Sequence, residues 1–402
     1  MQSTRPAEFI ALVAALTAMV AMSIDAMLPA LGIIATELGA SHPNDRHLII
    51  LLFFGGLSIG TLVFGAVSDS IGRKASIYIG MLFYLVGALL CFSATNFTML
   101  IVGRVIQGFG AASPRVVSMA MVRDGAKGAD MARIMSYVMS VFMLVPIVAP
   151  SIGQLVLLYG DWRMIFLGFI VMGALVTLWL HFRQGETLPV EKRTAFHASV
   201  LWDSAKEVVS NPVSLGYTVA NGFIFAGFNI FLATSQQVIG EQYAQGTLFP
   251  IWFACLAGGI AIAMILNGRY VRQIGLQRIS SWATVAFLIN WITVLAVCWF
   301  TQGNPPFPVL MVFFFISFFC SGMTFGNYQA MALEPMGHIA GMAAAVSGAM
   351  SSLMAIIFGG AAARLYDGSM TPIAIAFVVY AALALAMIRW AEANRPVKKS
   401  TL

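Results

Sequence analysis

Apolar residues in this chain run on for twenty or more positions at a time, separated by short polar stretches instead of alternating with polar neighbours. Twelve such runs are present: 9–31, 46–67, 75–95, 99–121, 133–158, 161–182, 213–238, 247–268, 279–301, 306–333, 338–363 and 370–392. About 20 apolar residues at a rise of ~1.5 Å cover the ~30 Å hydrocarbon core of a bilayer, so each run predicts a membrane-spanning helix. Continuous runs of this length exclude an outer-membrane barrel, whose strands are short and alternating. Arg5 ahead of the first run is reminiscent of a signal peptide, but the run is too long for one and many others follow. An uncleaved anchor is therefore expected.

The composition leaves no other fold class. Hydrophobic residues make up 60% of the chain and charged residues only 9%, against about a quarter charged in a soluble domain. The expected fold is an all-α membrane protein with twelve transmembrane helices. The one long hydrophilic connection, 183–211, carries Glu186, Pro189, Glu191, Lys192, Arg193 and Lys206 and divides the spans six and six. The expected domains are a bundle over 1–182, a linker over 183–212 and a second bundle over 213–402. The apolar residues at 199–202 suggest a linker helix lying along the membrane surface.

Of the 22 Lys and Arg residues, 17 fall in segments on the side of the N-terminus. Cytoplasmic loops carry such an excess, which predicts both termini in the cytoplasm. The net charge of +6 is thereby a topology signal and implies no nucleic-acid partner. Cys91, Cys255, Cys298 and Cys320 lie in spans without metal or redox spacing and read as packing residues. No phosphate-cradling loop, metal cluster or nucleophile–base pair is evident in the sequence, so neither an enzyme nor a cofactor is expected. Energy for transport would come from an ion gradient or from the solute's own gradient.

Two ionisable residues stand inside the first-half spans at a similar expected depth, Asp25 and Arg104. A charge there faces a bundle interior or a wet cavity. The two are expected to pair, either as a structural lock or as a proton site, because a carboxylate that gains and loses a proton in a cavity is a coupling device.

Three motifs accompany them. Gly65-x-x-x-Asp69-x-x-Gly72-Arg73-Lys74 occupies a very short loop after span 2, where the glycines permit a tight turn and Asp69 can pair with Arg73. A weaker echo, Gly268 to Gly275, follows span 8 at a constant offset of 203 residues, which suggests an internal duplication of the kind many transporters carry. Arg104-x-x-Gln107-Gly108-x-Gly110-Ala111-Ala112 combines a charge with small residues that let a neighbouring helix approach. Arg115, eleven residues on, points to the same side as Arg104 and Gly108 at ~100° per residue, marking a cavity-lining face. Pro146-Ile-Val-Ala-Pro150-Ser-Ile-Gly153-Gln154 predicts a bent fifth span.

The loop containing Asp69 and Arg73 resembles the signature loop of the major facilitator superfamily. The Arg104 motif resembles the helix 4 motif of its proton-coupled members. The Pro150 motif resembles that of drug:proton antiporters, with Ala149 and Gln154 replacing two glycines. Together with Asp25-Ala-Met-Leu-Pro29, Asp161-Trp162-Arg163 and Glu186-Thr-Leu-Pro, nearly the whole chain resembles the bicyclomycin/chloramphenicol-resistance (Bcr/CflA) subfamily.

That resemblance implies a major facilitator fold of two pseudo-symmetric six-helix bundles. It implies a monomer that exports small amphipathic antibacterial compounds against inward proton flow. Asp25 and Arg104 would couple the proton. Gly65, Asp69, Gly72, Arg73 and Lys74 would form a cytoplasmic gate. Gln107, Gly108, Arg115, Pro146, Pro150, Asn221, Gln236 and Asn327 are the candidate cavity or solute residues. The amides of the second half could instead bond only across helices. Thirty Phe and 24 Met residues would face membrane lipids or form an adaptable apolar pocket. A metabolite exporter or uptake permease of the same fold, and a non-transporting membrane sensor, remain the alternatives.

Overall fold

A computed structural model describes residues 6–194 and 198–395, which form helices and turns without a strand among the described residues. The first span is built from α1 (Pro6–Asp25) and α2 (Leu31–Glu37), and the next three are α3 (Leu48–Ile71), α4 (Arg73–Phe92) and α5 (Phe97–Gly125). Helices α6 (Gly128–Tyr159) and α7 (Arg163–Arg183) complete the first half. The short α8 (Ala198–Ser210) lies in the linker. The second half contains α9 (Pro212–Ser235), α10 (Phe249–Ile274), α11 (Leu276–Phe300), α12 (Phe307–Leu333), α13 (Ala340–Arg364) and α14 (Thr371–Ala393).

Among the described residues, ten stretches are both long and apolar enough to cross a membrane. One of them, Phe307–Arg364, contains α12 and α13, which are separated by the turn Glu334–Ile339. Helix α5 carries Arg104, Arg115, Arg123 and Asp124 and is too polar to be counted by apolarity. Its 29 residues nevertheless cover more than a ~30 Å core. Twelve crossings result. Large side chains such as Leu82 (63% exposed) and Ile265 (70% exposed) stand outward where lipid would solvate them.

Lipid tails are as apolar as leucine, so close packing rather than water exclusion holds such helices together. Glycines supply it between α3, α4 and α5. A Cβ on Gly108 would lie 2.0 Å from the Phe53 carbonyl oxygen, and one on Gly87 would lie 2.3 Å from the Gln107 nitrogen.

The first span is not one straight helix. α1 stops at Asp25, a 3-10 turn covers Leu28–Ala30, and α2 resumes at Leu31. Pro29 explains the break, since it offers no N–H and its ring crowds the carbonyl four residues back. The seventh span also departs from a regular helix, ending in a π-helical turn over Gln236–Gln242.

The repeated glycine turn holds in three dimensions. Gly72 has φ +104° and ψ 158°, and Gly275 has φ +94° and ψ 146°, each directly before a helix. Only glycine adopts such angles without strain.

By contacts the chain forms two compact units. One holds α1–α7 together with Phe231–Gly258, and the other holds α8, the start of α9 and Gly259 onward. In the second unit α8 packs against α13, with Ser204 and Val208 buried and Trp202 standing 72% exposed.

Candidate transport site

Arg104 is fully buried, yet among the described residues no carboxylate meets it. Its Nε donates to the Ile49 carbonyl oxygen (3.1 Å), Nη1 to Gln107 Oε1 (2.7 Å) and Nη2 to the Ser23 carbonyl oxygen (3.1 Å). The guanidinium carbon sits 4.2 Å from the Phe53 ring centroid. Three helices, α1, α3 and α5, are thus tied by one side chain. A buried cation surrounded by carbonyl dipoles and a ring face is stabilised without a counter-ion.

The expected Asp25–Arg104 ion pair is therefore not formed. The expected similarity in depth does hold, because Arg104 reaches the backbone two residues before Asp25. The azimuth is what differs. Two residues turn an α-helix by ~200°, so Asp25 points away from the side on which Ser23 meets Arg104. Ser23 is doubly engaged, its hydroxyl bonding the buried Tyr84 hydroxyl at 2.8 Å. Asp25 is itself buried at the end of α1, and among the described residues no donor or cation reaches its carboxylate.

Helix α6 approaches this break closely. A Cβ on Gly153 would lie 1.8 Å from the Ala26 carbonyl oxygen. The proline-rich motif thus abuts the residue that follows Asp25. Pro150 is buried and Pro146 half-buried, both within the unbroken helix Gly128–Tyr159.

Gln107 and Gly108, expected to line a cavity, do not. Gln107 is buried with its carbonyl engaged by Arg104, and Gly108 is closed off by the Phe53 backbone. The residues that hold Arg104 escape sequence reasoning, because Ser23 and Ile49 act through backbone carbonyls.

The short loop between α3 and α4 is a network of charges. Arg73 Nη1 meets Asp69 Oδ1 at 2.5 Å, as expected from the motif, and its Nε meets Asp124 Oδ2 at 2.8 Å. Glu186, from the linker, accepts from the backbone N–H groups of Arg73 (3.0 Å) and Lys74 (3.1 Å). These are unsatisfied donors at the N-terminus of α4, where a carboxylate is also favoured by the helix dipole. Lys74 Nζ donates to the carbonyls of His181 and Gln184. A Cβ on Gly72 would strike Glu186 Oε2 at 2.7 Å, so the glycine gives the linker its seat. Gly65 is half-buried, and a Cβ there would lie 3.9 Å from Val116.

The opposite end of α3 carries a second polar cluster. Arg46 Nη1 donates to Glu241 Oε1 (2.5 Å) and Gln236 Oε1 (3.1 Å). His47 hydrogen-bonds Gln237, which also donates to Asn44 Oδ1 at 3.1 Å. The turn Pro43–His47 is thereby clamped to the π-helical turn, beside a groove of about 500 Å³ lined by Thr36, Glu37, Arg46 and Glu241. Gln236, expected among solute residues, belongs to this clamp.

In the second half, Asn327 and Asn267 exchange amide hydrogen bonds at 2.9 and 3.0 Å, so Asn327 bonds across helices. Asn221 differs, since its Oδ1 is buried without a partner. Arg115 is exposed.

Twelve membrane-crossing helices, a duplicated glycine turn and an acid at a broken first helix define a polytopic membrane transporter. The chain belongs to the Major Facilitator Superfamily, which it matches over residues 12–359; proteins of this family move solutes and are not enzymes. It is 29% identical over 340 residues to the MFS-type transporter YdgK of Bacillus subtilis, covering 84% of this chain and 83% of that one. It is 28% identical over 356 residues to the bicyclomycin resistance protein homolog of Haemophilus influenzae, covering 87% of each. Multidrug resistance protein MdtL of Vibrio parahaemolyticus is 26% identical over 335 residues, covering 81% of each. Among solved structures, a D-xylose-proton symporter superposes with a TM-score of 0.74 at 13% identity, covering 98% of both chains, which establishes the shared fold.

Proposed function

We propose that this protein is a proton-coupled exporter of small amphipathic antibacterial compounds, working by alternating access. The observation that carries the reading is Asp25: a carboxyl group buried in a membrane-spanning segment, at a helix break, with no cation to hold it ionised. Such a group is inexpensive to keep protonated and costly to keep charged, so its proton occupancy can follow the side to which it is open. Protonation from outside would release the drug, and deprotonation toward the inside would readmit it. Differential stabilisation of two states by one proton is what coupling requires. Support also comes from the names of the relatives, a bicyclomycin resistance homolog and a multidrug resistance protein.

Arg104 acts as a positioning residue, fixing the α1 backbone beside Asp25. The Asp69–Arg73–Asp124–Glu186 network forms the cytoplasmic gate, and the Arg46–Glu241 clamp lies at the opposite end of α3. In this reading the protein is a monomer in a bacterial inner membrane, with both termini cytoplasmic and lipids around its apolar faces.

A susceptibility panel in a pump-deleted host tests the proposal. Wild type should raise the inhibitory concentrations of chloramphenicol-like and bicyclomycin-like compounds, and Asp25→Asn should return them to the level of the empty host. A panel on which wild type changes nothing would favour a metabolite exporter or an uptake permease.

A further inference from the structure

One charged side chain of the spans takes no part in the braces, gates or proton site described above. Arg115 lies in α5, 18 residues from its first residue and 10 from its last, or ~27 and ~15 Å along the axis. Arginine stays protonated under all relevant conditions, so this is a permanent positive charge at membrane depth.

Its direction follows from its neighbours. Gly108, only ~20° away around the helix, abuts α3 at Phe53, and Ser118, ~60° to the other side, contacts Thr17 of α1 at 3.4 Å. Arg115 therefore projects between α1 and α3. The lipid side of α5 is marked by Val102, 49% exposed, which lies ~140° from Arg115. Yet Arg115 is exposed while the adjacent Ser113, Pro114, Val117 and Ser118 are buried. It is thus exposed on the face of the first bundle between α1 and α3.

The charge is also unclaimed. Asp124, nine residues on, is occupied by Arg73 and Thr187, and Asp69 by Arg73. Glu186 caps α4. Among the described residues the Arg115 side chain has no hydrogen bond or ion pair.

We propose that Arg115 receives an anionic group of the transported solute, so that the favoured solutes are amphipathic molecules bearing a carboxylate or a similar oxyanion. A guanidinium meets a carboxylate with two parallel N–H donors, which selects for this geometry as well as for the charge. The inference rests on the exporter reading and adds the chemical class of its solute.

The test uses chloramphenicol and its hemisuccinate ester, which adds a succinyl chain ending in one carboxylate, and measures equilibrium binding to the purified protein in detergent. Wild type should prefer the hemisuccinate by about tenfold, the scale of one hydrogen-bonded charge contact. In Arg115→Gln that ratio should collapse toward one, and Arg115→Lys should restore part of it. A second measurement needs no variant: the wild-type ratio should fall as ionic strength rises, because a solvent-accessible charge contact is screened. The proposal is overturned if wild type binds neither probe or favours the neutral parent. A ratio that survives Arg115→Gln, or one that is indifferent to salt, overturns it equally. No gradient is present in this experiment, so a failure of proton coupling leaves its outcome untouched. Charge-selective binding without drug-linked proton flux would sink the antiporter reading alone.

Discussion

Arg104 donates to the carbonyl oxygen of Ser23 at 3.1 Å, two residues short of Asp25, and among the described residues no cation reaches the Asp25 carboxyl. The acid and the guanidinium thus have separate surroundings. Arg104 binds backbone and holds three helices. Asp25 sits just beyond that brace at the Pro29 break, buried and with no cation reaching it among the described residues.

Stability separates this arrangement from an ion pair. Arg104→Ala removes three hydrogen bonds, each worth roughly 0.6–1.7 kcal/mol inside a membrane. The unfolding midpoint of the detergent-solubilised protein should fall by several degrees. Asp25→Asn breaks no ion pair and should leave the midpoint nearly unchanged. A stranded Arg104 charge would instead cost about 3–5 kcal/mol. Arg104→Lys loses the planar fork and should transport more slowly than wild type. Thermal melts of Arg104→Ala and Asp25→Asn decide the matter, and efflux rates check Arg104→Lys.

Close approach of α6 to the break is a second requirement. Gly153→Ala puts a methyl group 1.8 Å from the Ala26 carbonyl oxygen, where helix backbone must yield. Overpacking of this kind costs about 1–3 kcal/mol, and the displaced break should lower efflux along with stability. Gly168→Ala is the control, since nothing lies within 4 Å of its added carbon. Efflux rates of the two variants, normalised to membrane expression, give the comparison.

The linker seat should be dispensable for binding but not for cycling. Glu186→Gln weakens the cap on Arg73 and Lys74 at a cost of about 0.5–2 kcal/mol. Asp69→Asn removes the negative charge that Arg73 meets at 2.5 Å. Both variants should keep drug affinity in detergent while turnover in vesicles falls. Lost affinity with turnover intact would place these residues at the solute instead.

At the other end, the Arg46–Glu241 contact predicts a charge-swap pattern. Arg46→Glu faces Glu241 with a like charge and should impair transport. Arg46→Glu combined with Glu241→Arg restores the sign relation and should recover much of it. A double-mutant cycle on efflux rate measures the coupling.

The spans were legible because a bilayer demands about 20 apolar residues from each crossing, and that demand is written in the chain itself. The loop motif was legible for a similar reason: Gly72 and Gly275 each precede a helix at a φ only glycine takes easily. What the chain does not display is azimuth. Asp25 and Arg104 advertise charge and depth, but the ~200° between Ser23 and Asp25 decides which of them meets the guanidinium. Backbone acceptors such as Ser23 and Ile49 have no sequence signature at all. Glu186 sits 113 positions from Arg73, too remote for any local pattern to suggest that it caps α4. Gln236 and Asn327 illustrate the ambiguity of membrane amides, since the same residue type serves a clamp, a cross-helix bond or a solute.

The most direct measurement follows proton movement in proteoliposomes carrying a pH-sensitive dye, with a drug gradient imposed across purified wild type and Asp25→Asn. Proton-coupled export by way of Asp25 predicts that drug flux through wild type drives protons the opposite way, and that Asp25→Asn abolishes this proton flux while still folding and binding drug. Drug flux through wild type with no proton movement, or an unaltered proton flux in Asp25→Asn, would contradict it.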